Sequence, residues 1–156
     1  MITTKKVKLT SKEYFSILIT RYIKRKWWLI AWIWGLAVIM WLMGDFGEFE
    51  YFFTGMAIVY PILLVWQFWR YANSKDNKLF LLERYYEIEK EKINGIIDDD
   101  TSSPIKIEHF IKFDLIKNTY LLFIAKNQFI YIPVDSFQSE NDLNWFKKEI
   151  LTQIKK

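Results

Sequence analysis

"KRKWWLIAWIWGLAVIMWLMGDF", residues 24–46, decides how the rest of the chain is read. Three cations lead into 18 positions without a charge, Trp27 to Gly44, and a second uncharged run of 19 positions covers Tyr51 to Trp69. A helix crosses a hydrocarbon core of about 30 Å with about 20 apolar residues. Each run is apolar all round, so two soluble core helices would need complete enclosure by the remaining chain, which is too polar to supply it. At a span's centre Leu, Ile, Phe and Val each favour insertion by about 0.3 to 0.6 kcal/mol, whereas a Lys or Arg would cost about 2.5 to 3.5 kcal/mol. Neither run contains one. A signal peptide fits less well, because the basic flank begins only after roughly twenty residues of patterned chain and no small-x-small site follows Met43. The expectation is a membrane hairpin over residues 27–69, with spans at about 27–44 and 51–69.

Charge sets the orientation of that hairpin. Residues 1–26 hold eight Lys and Arg against Glu13, net +7; the loop between the runs has Asp45, Glu48 and Glu50; residues 70–156 balance 14 basic against 14 acidic side chains. Lys and Arg near span ends are retained in the cytoplasm, so Lys24, Arg25 and Lys26 before the first span agree with Arg70, Lys75 and Lys78 after the second. Both termini are predicted cytosolic, in a multi-pass membrane protein. A charge-balanced soluble part lacks the basic stripe of a nucleic-acid binder, and no nucleic-acid partner is expected. With Cys absent, disulfide frameworks and thiol chemistry are excluded.

Aromatics reinforce the span borders, since amphipathic rings favour the headgroup level. Seven of the eight Trp fall between residues 27 and 69. Trp27, Trp28 and Trp69 mark the cytosolic border, and Trp41, Phe46, Phe49, Tyr51, Phe52 and Phe53 the other. Together with the six juxtamembrane cations, Trp27, Trp28 and Trp69 form the candidate set of lipid headgroup contacts. Ala31 and Gly35, opposite Gly55 and Ala57, would permit close helix approach, and Pro61 removes one helical hydrogen bond in the second span. Ahead of the first span, "ITTKKVKLT" reads as a short extended segment. Thr10 and Glu13 have capping-box spacing, and Tyr14, Leu18 and Tyr22 with Phe15, Ile19 and Ile23 give an amphipathic helix that either lies on the bilayer or runs on into the span.

After the second span the apolar period changes to alternation, announcing a small antiparallel β domain. "RYYEIEKEKINGII" contains Asn94-Gly95, the residue pair of a tight hairpin. "DDDTSSP" reads as a loop, "IKIEHFIKFDLI" alternates, and "TYLLFIAKNQFIYIPV" supplies two more strands turning at Lys126-Asn127. Four or five strands are expected. Ser139 then caps a terminal helix with Asp142 at its third position, and Leu143, Phe146, Ile150 and Ile154 line one face. The fold class is therefore an α+β membrane protein, a two-helix transmembrane hairpin followed by a small antiparallel sheet domain closed by a C-terminal helix. Residues 1–26 form a cytosolic N-terminal strand and juxtamembrane helix, and residues 70–156 the β domain.

"LTSKEYF", two spans, and "YLLFIAKNQFIYIPVDSFQSENDLNWFKKEI" together resemble the YcxB-like family of bacterial membrane proteins. The resemblance rests on Tyr120, Leu121 and Leu122 in one strand, Phe129 to Pro133 in the next, and Phe137, Ser139 and Phe146 around the helix. It implies a pleckstrin-homology-like fold for the cytosolic domain and no particular reaction. Asp135 stands where such proteins commonly carry a basic residue after the strand-ending Pro.

Catalytic chemistry has few candidates. His109 is the only His and sits in an alternating run, where a sheet-packing or surface role is expected. Asp98, Asp99 and Asp100 lack the spaced ligands of a calcium loop, and Glu87, Glu89 and Glu91 read as one wet sheet face. No Gly-rich phosphate loop is present. No enzyme activity, cofactor or metal is expected. The reading is a membrane-anchored, non-catalytic interaction module whose partners are membrane lipids and an unknown protein, with homo-oligomerisation compatible with the spans. The alternatives are an anionic-lipid-binding protein or small membrane enzyme at the headgroup level, and an immunity protein against a membrane-acting toxin.

Overall fold

The structure is a computed structural model that describes residues 1–44, 47–97, 101–126 and 128–154. The chain runs β1 (Ile2–Thr3), α1 (Ser11–Met43), α2 (Glu48–Ala72), β2 (Arg84–Ile88), β3 (Lys92–Ile97), β4 (Ser102–Lys106), β5 (Lys112–Ile116), β6 (Thr119–Phe123), β7 (Phe129–Pro133) and α3 (Glu140–Trp145). Two compact units result, Met1–Thr10 with Lys78–Lys156, and Ser11–Asn77. Residues 1–26, one segment by sequence, are thus divided between the β unit and the helical unit.

In the helical unit, α1 is unbroken for 33 residues and α2 for 25, about 50 and 38 Å of helix at 1.5 Å per residue. The stretch ahead of the first apolar run therefore continues into it as one helix. Tyr14 and Ile17 are its buried residues near the start, while Ile23 is exposed. The helices meet through Ala37 and Ala57, both buried. Ala31, Gly35 and Gly55, expected at that contact, are exposed instead, and a Cβ added at Gly35 or Gly55 would meet nothing within 4 Å. Ala37 is two residues beyond Gly35, roughly 200° round the helix, which accounts for the change of face. Two polar links join the pair: the Tyr22 and Tyr60 hydroxyls lie 2.8 Å apart, and Trp41 Nε1 donates to Thr54 Oγ1 at 3.0 Å. Glu50 reaches back to accept from Gly47 N–H at 2.8 Å, satisfying a donor at the start of α2. Helix α2 continues across Pro61. Asp45 and Phe46 lie outside the described residues.

The β unit holds two antiparallel sheets, β1-β2-β3-β4 and β5-β6-β7. Among the described residues, six strands follow the helices in place of the expected four or five. The expected N-terminal strand joins the first sheet, pairing with β2, Ile2 opposite Ile88. Val7 and Arg84 exchange both backbone bonds, at 2.7 and 2.9 Å. Between them Thr4 N–H donates to the Tyr86 carbonyl, and Tyr86 N–H donates to Thr4 Oγ1, each at 2.9 Å, so a side chain stands in for a ladder carbonyl. Leu9 N–H then donates to the Tyr131 hydroxyl at 3.2 Å.

Three local readings are corrected. Asn94-Gly95 is not a turn; both lie inside β3, with Gly95 opposite Tyr86. A Cβ at Gly95 would come within 3.3 Å of the Tyr86 ring, so the glycine is there for close approach of an aromatic rather than for a turn. The alternating run through residues 105–116 is interrupted by a 3-10 turn at Ile107–His109 that separates β4 from β5. Strand β2 stops at Ile88, leaving Glu89 and Glu91 in the β2–β3 turn rather than on one sheet face with Glu87. A tight turn unmarked by Gly joins β5 to β6 through Lys117 and Asn118, with φ of 47° and 61°, the paired positive angles of a type I′ hairpin. The turn expected at Lys126-Asn127 falls in the β6–β7 connection, where Ala125 and Gln128 exchange backbone bonds; Asn127 itself lies outside the described residues.

Strand β6 is buried at all five positions, as a strand covered on both faces must be. Tyr131 on β7 meets Tyr86 edge-on at 6.4 Å between centroids, and Phe80 packs on both Phe129 and Tyr131. Tyr120 meets Phe146 at 5.4 Å, and Phe146 meets Phe137 at 5.1 Å. The terminal helix supplies that Phe146. Ser139 Oγ accepts from Asp142 N–H at 3.1 Å, the expected cap, and the helix continues beyond Trp145 as a wider π-helical turn over Phe146–Leu151. The widening adds Leu151 to the expected inward set of Phe146, Ile150 and Ile154, with Leu143 half-buried.

Thr4→Val should orphan the Tyr86 N–H and destabilise the β unit by about 1 to 3 kcal/mol, and Phe146→Ala by about 3 to 5 kcal/mol through cavity formation. Chemical denaturation of the detergent-purified full chain, followed by far-ultraviolet circular dichroism, measures both.

Candidate functional site

The helical unit places most of the predicted headgroup contacts. Lys24, Arg25 and Lys26 are exposed on α1 directly before Trp27 and Trp28, which are 62% and 50% exposed. On α2, Trp69 is 57% exposed and Arg70 follows it, with the guanidinium 5.5 Å from the centroid of the Trp66 ring. That geometry suits a cation–π contact, in which an apolar ring shields the aliphatic stem while the charge stays available to an anion. Lys75 is exposed in the short 3-10 turn after α2. Lys78 belongs to the β unit and is exposed there.

The same helices carry a continuous apolar exterior. Trp32, Trp34, Trp41, Phe49, Tyr51 and Phe52 are all exposed. In the most apolar 18 residues of each helix only 6% are buried, and both helices are long and apolar enough to cross a membrane by length and composition. Soluble monomers rarely expose contiguous apolar patches larger than a few hundred Å².

The β unit presents a different chemistry. Among the described residues no group of three or more His, Asp or Glu side chains is placed to hold a metal. His109 closes the 3-10 turn rather than lying in a strand, and its Nε2 is 3.8 Å from Glu108 Oε1 on an exposed surface. Asp98, Asp99 and Asp100 lie outside the described residues. Surface ion pairs join Lys90 to Glu149 at 3.0 Å, linking the β2–β3 turn to the terminal helix, and Lys112 to Asp114 at 3.5 Å on β5. Such exposed pairs each contribute about 0 to 1 kcal/mol.

Two buried polar atoms were not foreseen. The Tyr86 hydroxyl and Asn94 Oδ1 are enclosed, and among the described residues neither has a partner at full hydrogen-bonding geometry. Burial raises the Tyr86 pKa above its ordinary 10.0, the negative charge of an ionised Tyr131 hydroxyl adds to the rise, and the Arg84 guanidinium works against it. Burial also raises the pKa of Tyr120. The sequence signal for Tyr86 was its inward place in the alternation; its match to Gly95 required the strand register.

Comparison with protein-family models, with curated proteins and with solved structures finds no match for this chain.

Because Tyr86 ionises at higher pH in the folded than in the unfolded chain, its contribution to stability is intact below pH 10 and is lost as pH rises above that value. Tyr86→Phe removes a hydroxyl without a partner at full hydrogen-bonding geometry among the described residues, so stability at pH 7 should stay within about 1 kcal/mol of the parent. The alkaline loss of stability should be shallower in the variant, measured by denaturant titrations between pH 8 and pH 11.

Proposed function

We propose that this chain is a membrane-anchored, non-catalytic interaction module: a lipid-embedded hairpin that presents the β unit at the cytosolic face of a bacterial inner membrane. The observation that carries the reading is the outward apolar surface of α1 and α2, only 6% buried over its most apolar stretches. Hydrocarbon is the environment that satisfies such a surface. The charge distribution supports the orientation, with the exposed cations Lys24, Arg25, Lys26, Arg70 and Lys75 all flanking one end of the hairpin.

Strand pairing adds an independent argument. Residues 2–7 are bonded to residues 84–88, which supports placing the chain entering α1 and the chain leaving α2 on one aqueous side. A segment inserted between paired strands crosses a bilayer an even number of times, which two spans satisfy and one does not. The four-stranded and three-stranded antiparallel sheets followed by a terminal helix suit the pleckstrin-homology-like domain that the resemblance to YcxB-like proteins implies. Such a domain needs no catalytic group to bind a protein partner.

A second reading is favoured by the exposed Lys24-Arg25-Lys26 cluster beside Trp27 and Trp28: recognition of anionic headgroups, each cation contributing about 1 kcal/mol near such a surface.

The full chain should partition with membranes and resist extraction by high salt and alkaline carbonate. Reporters fused at either terminus should both be active in the cytosol. Recovery of the intact chain in the soluble fraction, or a terminus exposed outside, would overturn the reading. Replacing Lys24, Arg25 and Lys26 with Ala should leave membrane partition unchanged. In nanodiscs carrying anionic lipid, that variant should show a weaker salt-dependent lipid preference than the parent if headgroup recognition is at work.

A further inference from the structure

β5 is an outer strand of its sheet, and among the described residues no strand pairs with its free edge. Two other outer strands are as long: β4 carries Pro104, which has no N–H to offer a partner, and β7 ends in Pro133. β5 has no such guard. Its closing pair with β6 is Ile116–Thr119 across the two-residue turn, and in such a hairpin the closing pair is hydrogen-bonded and the bonding alternates from there. Asp114 therefore bonds inward to β6, while the N–H and C=O groups of Phe113 and Leu115 point to the open edge. Leu115 is 49% exposed and Ile111, directly before the strand, 52%. These are the apolar residues of the edge.

The sequence along this edge is Ile111-Lys112-Phe113-Asp114-Leu115. Reversed, it has the same pattern of apolar, charged, aromatic, oppositely charged and apolar residues. A second copy laid antiparallel with Phe113 facing Phe113 brings Lys112 opposite Asp114, Asp114 opposite Lys112, and Ile111 opposite Leu115. Neighbouring registers that keep the same faces together set Asp114 against Asp114 or Lys112 against Lys112, and like charges directly opposite are unfavourable. Backbone chemistry accommodates this register, because the outward groups of Phe113 form a hydrogen-bonded pair about a two-fold axis, and the charges distinguish it from the registers shifted by two. Lys112 and Asp114 then fall at the closer, non-hydrogen-bonded positions, where Cα atoms are about 4.5 Å apart. Ile111 N–H is turned inward to the Phe123 carbonyl at 2.8 Å, so the ladder ends there.

We infer that β5 is a self-pairing edge: two copies of this chain join antiparallel through residues 111–115 into a two-fold dimer with a six-stranded sheet spanning the interface. The Lys112–Asp114 pair, 3.5 Å apart within one chain, becomes half of a four-charge cluster across the axis. A lone lysine would protect an edge from pairing; followed two residues later by its own complement, it specifies the pairing instead. The contact is isologous, so it closes at two copies. It stands on the β unit alone and does not require the membrane reading.

The test uses the full-length chain in detergent and exploits the absence of Cys. In the proposed dimer, the Cα atoms of a hydrogen-bonded pair at position 113 lie about 5.5 Å apart, within the roughly 4.4 to 6.8 Å that a disulfide spans. Phe113→Cys should form a covalent dimer under mild oxidation, whereas Gln138→Cys, exposed elsewhere in the β unit, should not. Within the Phe113→Cys background, Asp114→Lys alone and Lys112→Asp alone should each lower the yield about ten-fold, since each puts like charges opposite one another. Combining the two substitutions in one chain should restore the dimer. Mixing the two single variants, differently tagged, should give the heterodimer in preference to either homodimer, which also shows that each single variant is folded. Equal cross-linking at position 138, single-variant yields equal to the parent, or no recovery in the mixture and the double variant would overturn the proposal.

Discussion

Pairing between residues 2–7 and β2 closes the β unit around a 67-residue helical insertion, Ser11 to Asn77. Neither piece of the β unit is complete without the other. The strand ladder is held by backbone bonds at Val7 and Arg84 and by the Thr4 side chain, with Leu9 fastened to Tyr131 in the other sheet. Contacts between residues some eighty apart carry a loop-closure cost, but that cost grows only with the logarithm of loop length. If the two helices form first as a paired hairpin, the effective loop is far shorter than the sequence separation. The buried surfaces of Ala37 and Ala57 and the Tyr22–Tyr60 bond are the contacts that would do this. Where lipid takes the hairpin, the same pairing supports placing both flanks on one side.

Aromatic contacts run through the interior of the β unit beside aliphatic residues such as Ile88, Ile93 and Leu121. Tyr86, Tyr131, Phe123 and Phe146 are among its largest fully buried side chains. Rings that meet edge-on gain about 0.5 to 1.5 kcal/mol beyond the area they bury. Phe80, Phe129, Phe123, Tyr131 and Tyr86 form one connected chain of such contacts, and Tyr120, Phe146 and Phe137 another. The second chain depends on the terminal helix, which explains why its capping residue Ser139 and its wide last turn both serve to place Phe146 and Ile150. The cost of this large-ring packing appears at Tyr86, whose hydroxyl is carried inside with its ring.

Legibility in the sequence followed the range of the interaction. Runs of apolar residues identified both helices, since that signal needs no partner. The Ser139 cap and the terminal stripe were legible for the same reason. Asn94-Gly95 misled because the sequence shows a glycine but not what approaches it; its partner Tyr86 is set by register, a non-local property. The 3-10 turn at Ile107–His109 kept alternation on either side and so hid a sheet boundary inside one run. β1 was legible as extended chain, yet its destination was not, because two extended residues carry no record of the strand they join. Of the candidate site, the cations and Trp residues were read from position alone, and the structure adds their exposure and the seat of Arg70 on Trp66.

β5 illustrates how edge chemistry separates folding from association. Inside one chain, its inward-bonded residues alternate with Phe113 and Leu115, and the sheet is satisfied by β6. Folding therefore does not determine what the outer groups meet. An unpaired edge exposed to water would ordinarily be selected against by proline, bulges or uncompensated charge. β4 has the proline, and β7 ends in Pro133. β1 is only two residues long. On β5 the two charges are opposite in sign and symmetric about an aromatic residue, an arrangement that penalises shifted registers while leaving one register favourable. Such a strand is protected against indiscriminate pairing and still competent for a single partner geometry, and confinement of two copies to one bilayer would raise their effective concentration without any further contact.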